Sequence, residues 1–61
     1  MFSVNSVVMI LNGEYVDCVA YIREVLGNGK YLVEVPFIEG SEFTVVSEES
    51  VRLLGEIGLD N

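Results

Sequence analysis

Tyr15-Val16-Asp17-Cys18-Val19-Ala20-Tyr21-Ile22-Arg23-Glu24-Val25 is the stretch on which the fold turns. A helix could be drawn through it, with Val16, Val19, Ala20 and Ile22 as apolar positions. Branched and aromatic residues dominate, however. They lose rotamer freedom in a helix and fit a pleated surface. Asn12-Gly13 and Gly27-Asn28-Gly29 bracket the run with strong hairpin signals. The stretch therefore reads as a long strand. Alternation puts Val16, Cys18, Ala20 and Ile22 on one face and Tyr15, Asp17, Val19, Tyr21 and Arg23 on the other. The small side chains of Cys18 and Ala20 suit the inside of a tightly curved sheet.

The same pattern extends in both directions. Val7 to Leu11 is an apolar strand that runs into Asn12-Gly13. Tyr31 to Phe37 is a third strand, with Tyr31, Val33, Val35 and Phe37 opposing Leu32, Glu34 and Pro36. Pro36 cannot donate a ladder bond, so that end of the strand is an edge or a bulge. Glu39-Gly40-Ser41 turns the chain into a fourth strand, Glu42 to Val46, on which Phe43 and Val45 oppose Thr44 and Val46. Ser47-Glu48-Glu49-Ser50 predicts one short 3-10 turn, with Ser47 as its cap and two acids near its positive end. Val51 to Leu54 is the fifth strand. The expected architecture is all-β, one small five-stranded barrel over residues 1–54, with 55–61 as a flexible C-terminal tail.

Composition bounds what such a barrel can do. A chain of 61 residues makes one domain. A domain of this size buries only about 60% of the surface its unfolded chain exposes, and its core supplies ~3–5 kcal/mol of net stability. Cys18 is alone, so no disulfide can form within the chain, and with no His a structural zinc site is not expected. Self-association or a permanent partner is left as the support. The chain is 51% hydrophobic with a mean hydropathy of +0.48, more apolar than so small a core readily hides. That surplus predicts an exposed interaction patch.

Three Lys and Arg against ten Asp and Glu leave a net charge of −7. Nucleic-acid binding and adhesion to an anionic membrane both need clustered cations, so neither is expected. A neutral or basic protein surface is the natural complement. Met1 to Ser6 has no basic leader region, the Val7–Leu11 run is far short of a membrane span, and a lone Cys suits a reducing compartment. These point to the cytoplasm.

The order of Gly13, Tyr15, Cys18, Ala20, Tyr31, Val33, Phe37, Glu39-Gly40, Thr44-Val45, Glu48-Glu49, Val51 and Leu53 resembles the Tudor-type branch of the SH3-like barrels. The resemblance covers about residues 4–54 and implies the SH3-like fold. It also implies a recognition role, since Tudor domains that read methylated Lys or Arg hold the cation in an aromatic cage. Phe37 matches one cage position. The other places hold Leu11 or Ile10, Val16 and Gly40, so a cage here would need Tyr15 and Tyr21 to serve from neighbouring sites.

Catalysis is not expected. Cys18 has no neighbouring base, and Glu48 and Glu49 are adjacent, solvated acids. No loop has calcium-ligand spacing, and Gly27-Asn28-Gly29-Lys30 lacks the spacing of a phosphate loop. No metal and no cofactor is expected. The leading expectation is an acidic protein-binding module, adaptor or inhibitor, using Tyr15, Tyr21, Phe37, Asp17, Glu39 and Glu42, with Glu34 flanking. A subunit of a homo-oligomer is the alternative, with Val8, Val19 and Leu32 as its seam and the third- and fourth-strand edges as further pairing sites. A nucleic-acid mimic that blocks a nucleic-acid-binding protein is the third reading, disfavoured by acids spread along the chain.

Overall fold

The structure is a computed structural model and describes residues 1–56. Five antiparallel strands follow one another as β1 (Ser6–Ile10), β2 (Val19–Gly27), β3 (Lys30–Phe37), β4 (Gly40–Ser47) and β5 (Val51–Glu56), with a 3-10 turn at Glu48–Ser50 before the last. They form one sheet in the order β4-β3-β2-β1-β5. β5 reaches two residues past the expected boundary at 54, pairing Gly55 with Val7 and Glu56 with Ser6. The rest of the expected tail, 57–61, lies outside the described residues.

A single sheet has two faces, and one of them holds the core. Val8 and Ile10 of β1, Ala20 and Ile22 of β2, Tyr31, Val33 and Val35 of β3 and Val51 of β5 are all at most 5% exposed. A flat sheet could not shield that face from water. The sheet therefore curls around its apolar side chains, an arrangement compatible with a barrel. Irregular register helps the strands bend, with shifts in the β2–β3 ladder at Ile22/Glu24 and Val25/Gly27 and in the β1–β5 ladder at Val7/Val8.

One chain connection departs from the expected ones. Asn12-Gly13 does not form a two-residue hairpin. Residues 11–18 make a wide loop in which Val16 N–H donates to Gly13 O and Cys18 N–H to Tyr15 O, two successive turns. The loop closes on one residue of β1, since Asp17 N–H donates to Ile10 O and Ile10 N–H to Cys18 O. Asp17 takes a positive φ of 69° to make that closure. Tyr15, Val16 and Asp17 are therefore loop rather than strand, Val16 is exposed, and Cys18 packs half-buried against the core. Asn28-Gly29, in contrast, is the tight hairpin its residues require, with both φ angles positive (56° and 73°).

Pro36 behaves as expected. The β2–β3 ladder ends at Tyr21 and Glu34, so the Pro36 end of β3 pairs with β4 alone. β3 as a whole is not an edge strand, because β2 and β4 flank it. Ser47 occupies the cap position of the 3-10 turn without making a side-chain cap bond. Its hydroxyl lies 3.1 Å from that of Ser50 instead.

Candidate functional site: the loop and hairpin at one end of the sheet

Tyr15 on the β1–β2 loop and Phe37 at the end of β3 meet with their ring centroids 6.1 Å apart and tilted by 40°. That is the range in which aromatic rings attract through their edges and faces. They sit 22 residues apart in sequence, and the wide loop brings Tyr15 back over the β3–β4 hairpin. Phe37 is the last inward position of β3, but the core has ended there and 46% of it is exposed. Partial desolvation, and then the negative charges of Glu14 and Glu42, raise the Tyr15 phenol above its usual range. Glu39 and Glu42 are exposed on the same hairpin, beside Ile38, whose side chain lies fully in solvent.

An open cleft of about 310 Å³ runs between the β1–β2 loop and β4, walled by Glu14 and Tyr15 on one side and by Thr44 to Ser47 on the other. Lys30 is the cation on its rim.

Of the six expected contact residues, Tyr15, Phe37 and Glu42 converge, and Glu39 lies beside them on the hairpin. Asp17 is exposed at the base of the loop, its backbone spent on closing Ile10. Tyr21 is elsewhere. It stands on the convex face opposite Val7 and Glu34, and the Arg23 guanidinium lies 5.1 Å from its ring centroid. Arg23 is held there by Glu34 at 2.8 Å and Asn5 at 2.9 Å, and Ser41 donates to the other Glu34 oxygen at 2.6 Å. Those bonds, the Ser41 one foremost, hold the Glu34 carboxyl below its ordinary value. Glu34 is thus a cross-strand tie rather than a flank of the site.

The expected seam is corrected in the same way. Val8 is fully buried, because β1 turns Ser6, Val8 and Ile10 inward and Val7 and Met9 outward. Val19 is partly exposed, and Leu32 is half-buried across from Val45. The larger outward apolar pair is Phe43 and Val45 on β4, 59% and 55% exposed. Their alternation was readable, but nothing local marks the outward face of a fourth strand. Ile38 carried a weak signal, a branched apolar residue at a hairpin tip where polar turn formers are usual.

Among the described residues no helix is long and apolar enough to cross a membrane, and no three His, Cys, Asp or Glu gather as a metal site. No family model, curated protein or solved structure matches the chain.

Proposed function

We propose that this chain is a non-catalytic, acidic protein-binding module, an SH3-like barrel of Tudor type, that docks on a basic or mixed protein surface. The observation that carries the reading is the Tyr15–Phe37 ring pair. Two connections far apart in sequence bring the half-buried ring of Tyr15, which packs on the edge of the core, against the exposed ring of Phe37, beside Glu14, Glu39 and Glu42. Aromatic anchors ringed by charge are how small interfaces concentrate their energy. The strand order and the 3-10 turn before β5 support the SH3-like reading. The module acts by occupancy, as adaptor or inhibitor, in a reducing cytosolic setting that suits the unpaired Cys18.

The test is a partner capture that compares wild type with Tyr15→Ala and Phe37→Ala, with and without nuclease, followed by titration of the captured protein. Each substitution weakens binding by about 1–2 kcal/mol, while Tyr21→Ala leaves it unchanged. Equal affinity of all three folded variants would move the site away from this end of the sheet.

A further inference from the structure

β4 and β5 are the two edges of the sheet, and they are unlike. β5 is bulged against β1 and carries Arg52. β4 runs eight residues in unbroken register with β3, from Phe37↔Gly40 to Lys30↔Ser47. It carries no Lys, Arg or Pro, and Glu42 is its one charge. Beyond Thr44–Ser47 lies the open cleft, and β4 pairs with β3 alone among the described residues. Long, flat, apolar edges are what proteins normally blunt with charge, proline or a bulge. Of these devices β4 carries only Glu42, near its first end, and from Phe43 to Ser47 it has none.

We propose that the occupant of this edge is a second copy of the chain, its β4 antiparallel to the first about a two-fold axis through Thr44. The backbone narrows the register. Glu48 N–H donates to Gly29 O, continuing the β3–β4 ladder, so even-numbered residues of β4 turn their peptide groups toward β3. Ser41, Phe43, Val45 and Ser47 then present theirs to the free edge. Two copies can bond only by matching odd residues with odd, which leaves few symmetric registers. Two of them set Glu42 against its own copy or against Glu48, like charges in direct opposition. A third sets Phe43 against Phe43 and Ser41 against Val45. The remaining one pairs Phe43 with the second copy's Val45 twice over, Ser41 with Ser47 twice, Glu42 with the neutral Val46, and Thr44 with itself.

That register covers the exposed Phe43 and Val45 with each other, as aromatic–branched cross-strand pairs, and extends the patch to Leu32 beside Val45. It places one acid per copy on the seam opposite a neutral side chain, so the chain's excess negative charge stays off it. The gain in buried surface falls where a domain this small needs it. The seam differs from the Val8, Val19 and Leu32 set. It borders the proposed binding site, since Tyr15 walls the cleft beside Thr44–Ser47 and Glu42 lies near both. Its own contacts are Phe43 and Val45, so Phe43→Lys tests the seam and Phe37→Ala the binding site.

Sedimentation of the full chain at micromolar concentration gives a dimer, and Phe43→Lys or Val45→Lys raises its dissociation constant at least ~tenfold with an unchanged circular dichroism spectrum. In a Cys18→Ser background, Thr44→Cys links two copies under mild oxidation. Residues opposite each other at a non-hydrogen-bonded position lie about 4.5 Å apart between Cα atoms, within disulfide reach. Phe43→Cys and an exposed control, Glu24→Cys, link at most slowly. A wild-type monomer throughout, or a dimer that survives Phe43→Lys, overturns the seam. Faster linking at Phe43→Cys than at Thr44→Cys overturns the register.

Discussion

β1 and β4 both alternate between two faces and both carry branched apolar side chains, yet they end in opposite states. β1 buries Ser6, Val8 and Ile10, whereas no residue of β4 is fully buried despite Phe43, Val45 and Val46. Hydropathy separates them in part, with four apolar residues in five on β1 against three in eight on β4. Position adds to it, since β1 lies between β2 and β5 while β4 has β3 on one side and, among the described residues, no strand on the other. The strands that carry stability and the strand that is free to recognise something are therefore different parts of one sheet.

The largest expected effect tests the buried half. Ile22 is fully enclosed by the core, so Ile22→Ala costs about 2–5 kcal/mol, comparable to the whole stability of so small a domain. Val45→Ala, on the exposed half, stays within about 0.5 kcal/mol for the monomer. Urea unfolding of both variants measures the contrast, and similar midpoints would erase it. If the proposed dimer is populated, the Val45→Ala comparison is made at a concentration low enough to dissociate it.

An intermediate effect probes the margin of the core at the opposite end from Phe37. Tyr31 is buried, with its ring 5.4 Å from that of Phe2. Its hydroxyl accepts from Phe2 N–H at 3.1 Å and donates to Glu48 at 3.0 Å. Tyr31→Phe keeps the packing and removes both bonds, at a cost of about 1–2 kcal/mol. Thermal unfolding unchanged by this substitution would show that water replaces the hydroxyl at no cost. Gly29→Ala is expected to cost about 1 kcal/mol by forcing a side chain into the positive-φ position of the hairpin, where space is open and only the backbone objects.

The smallest effect lies on the tie between β3 and β4. The Ser41 and Arg23 bonds lower the Glu34 pKa from its ordinary 4.5, so the folded state favours the carboxylate. That contribution is complete above the unfolded value and fades as the pH falls through the lower folded value. Stability should therefore decline more steeply on acidification below about 4.5 in wild type than in Glu34→Gln, although protonation also relieves the net negative charge. Parallel pH profiles of the two proteins would remove Glu34 from the account.

Much of this sheet was legible residue by residue. Asn28-Gly29 specified its hairpin because both residues tolerate positive φ, and alternation grouped Tyr31, Val33 and Val35 on one face of β3, the face the sheet buries. The β1–β2 connection is not legible in the sequence because Tyr15 and Val16 favour strands locally, while the closure of Asp17 and Cys18 on Ile10 is a longer-range bond that outweighs the preference. For the same reason only part of the candidate site was visible. Tyr15 and Phe37 were identified singly, but their contact depends on where a loop of eight residues returns, and Tyr21 went to the other face with Arg23.

The sequence by itself determined that the chain is β, that Asn28-Gly29 is a tight turn, that the chain is acidic, and which side chains alternate. Those properties are set by neighbours in the chain, through φ preferences and a two-residue period. The tertiary structure alone decided which alternating set faces inward, that Val8 is core while Phe43 and Val45 are not, and that Tyr15 stands beside Phe37. Alternation defines two faces without labelling either; the label comes only when the sheet curls, and the strand left at its edge has too few neighbours to be buried.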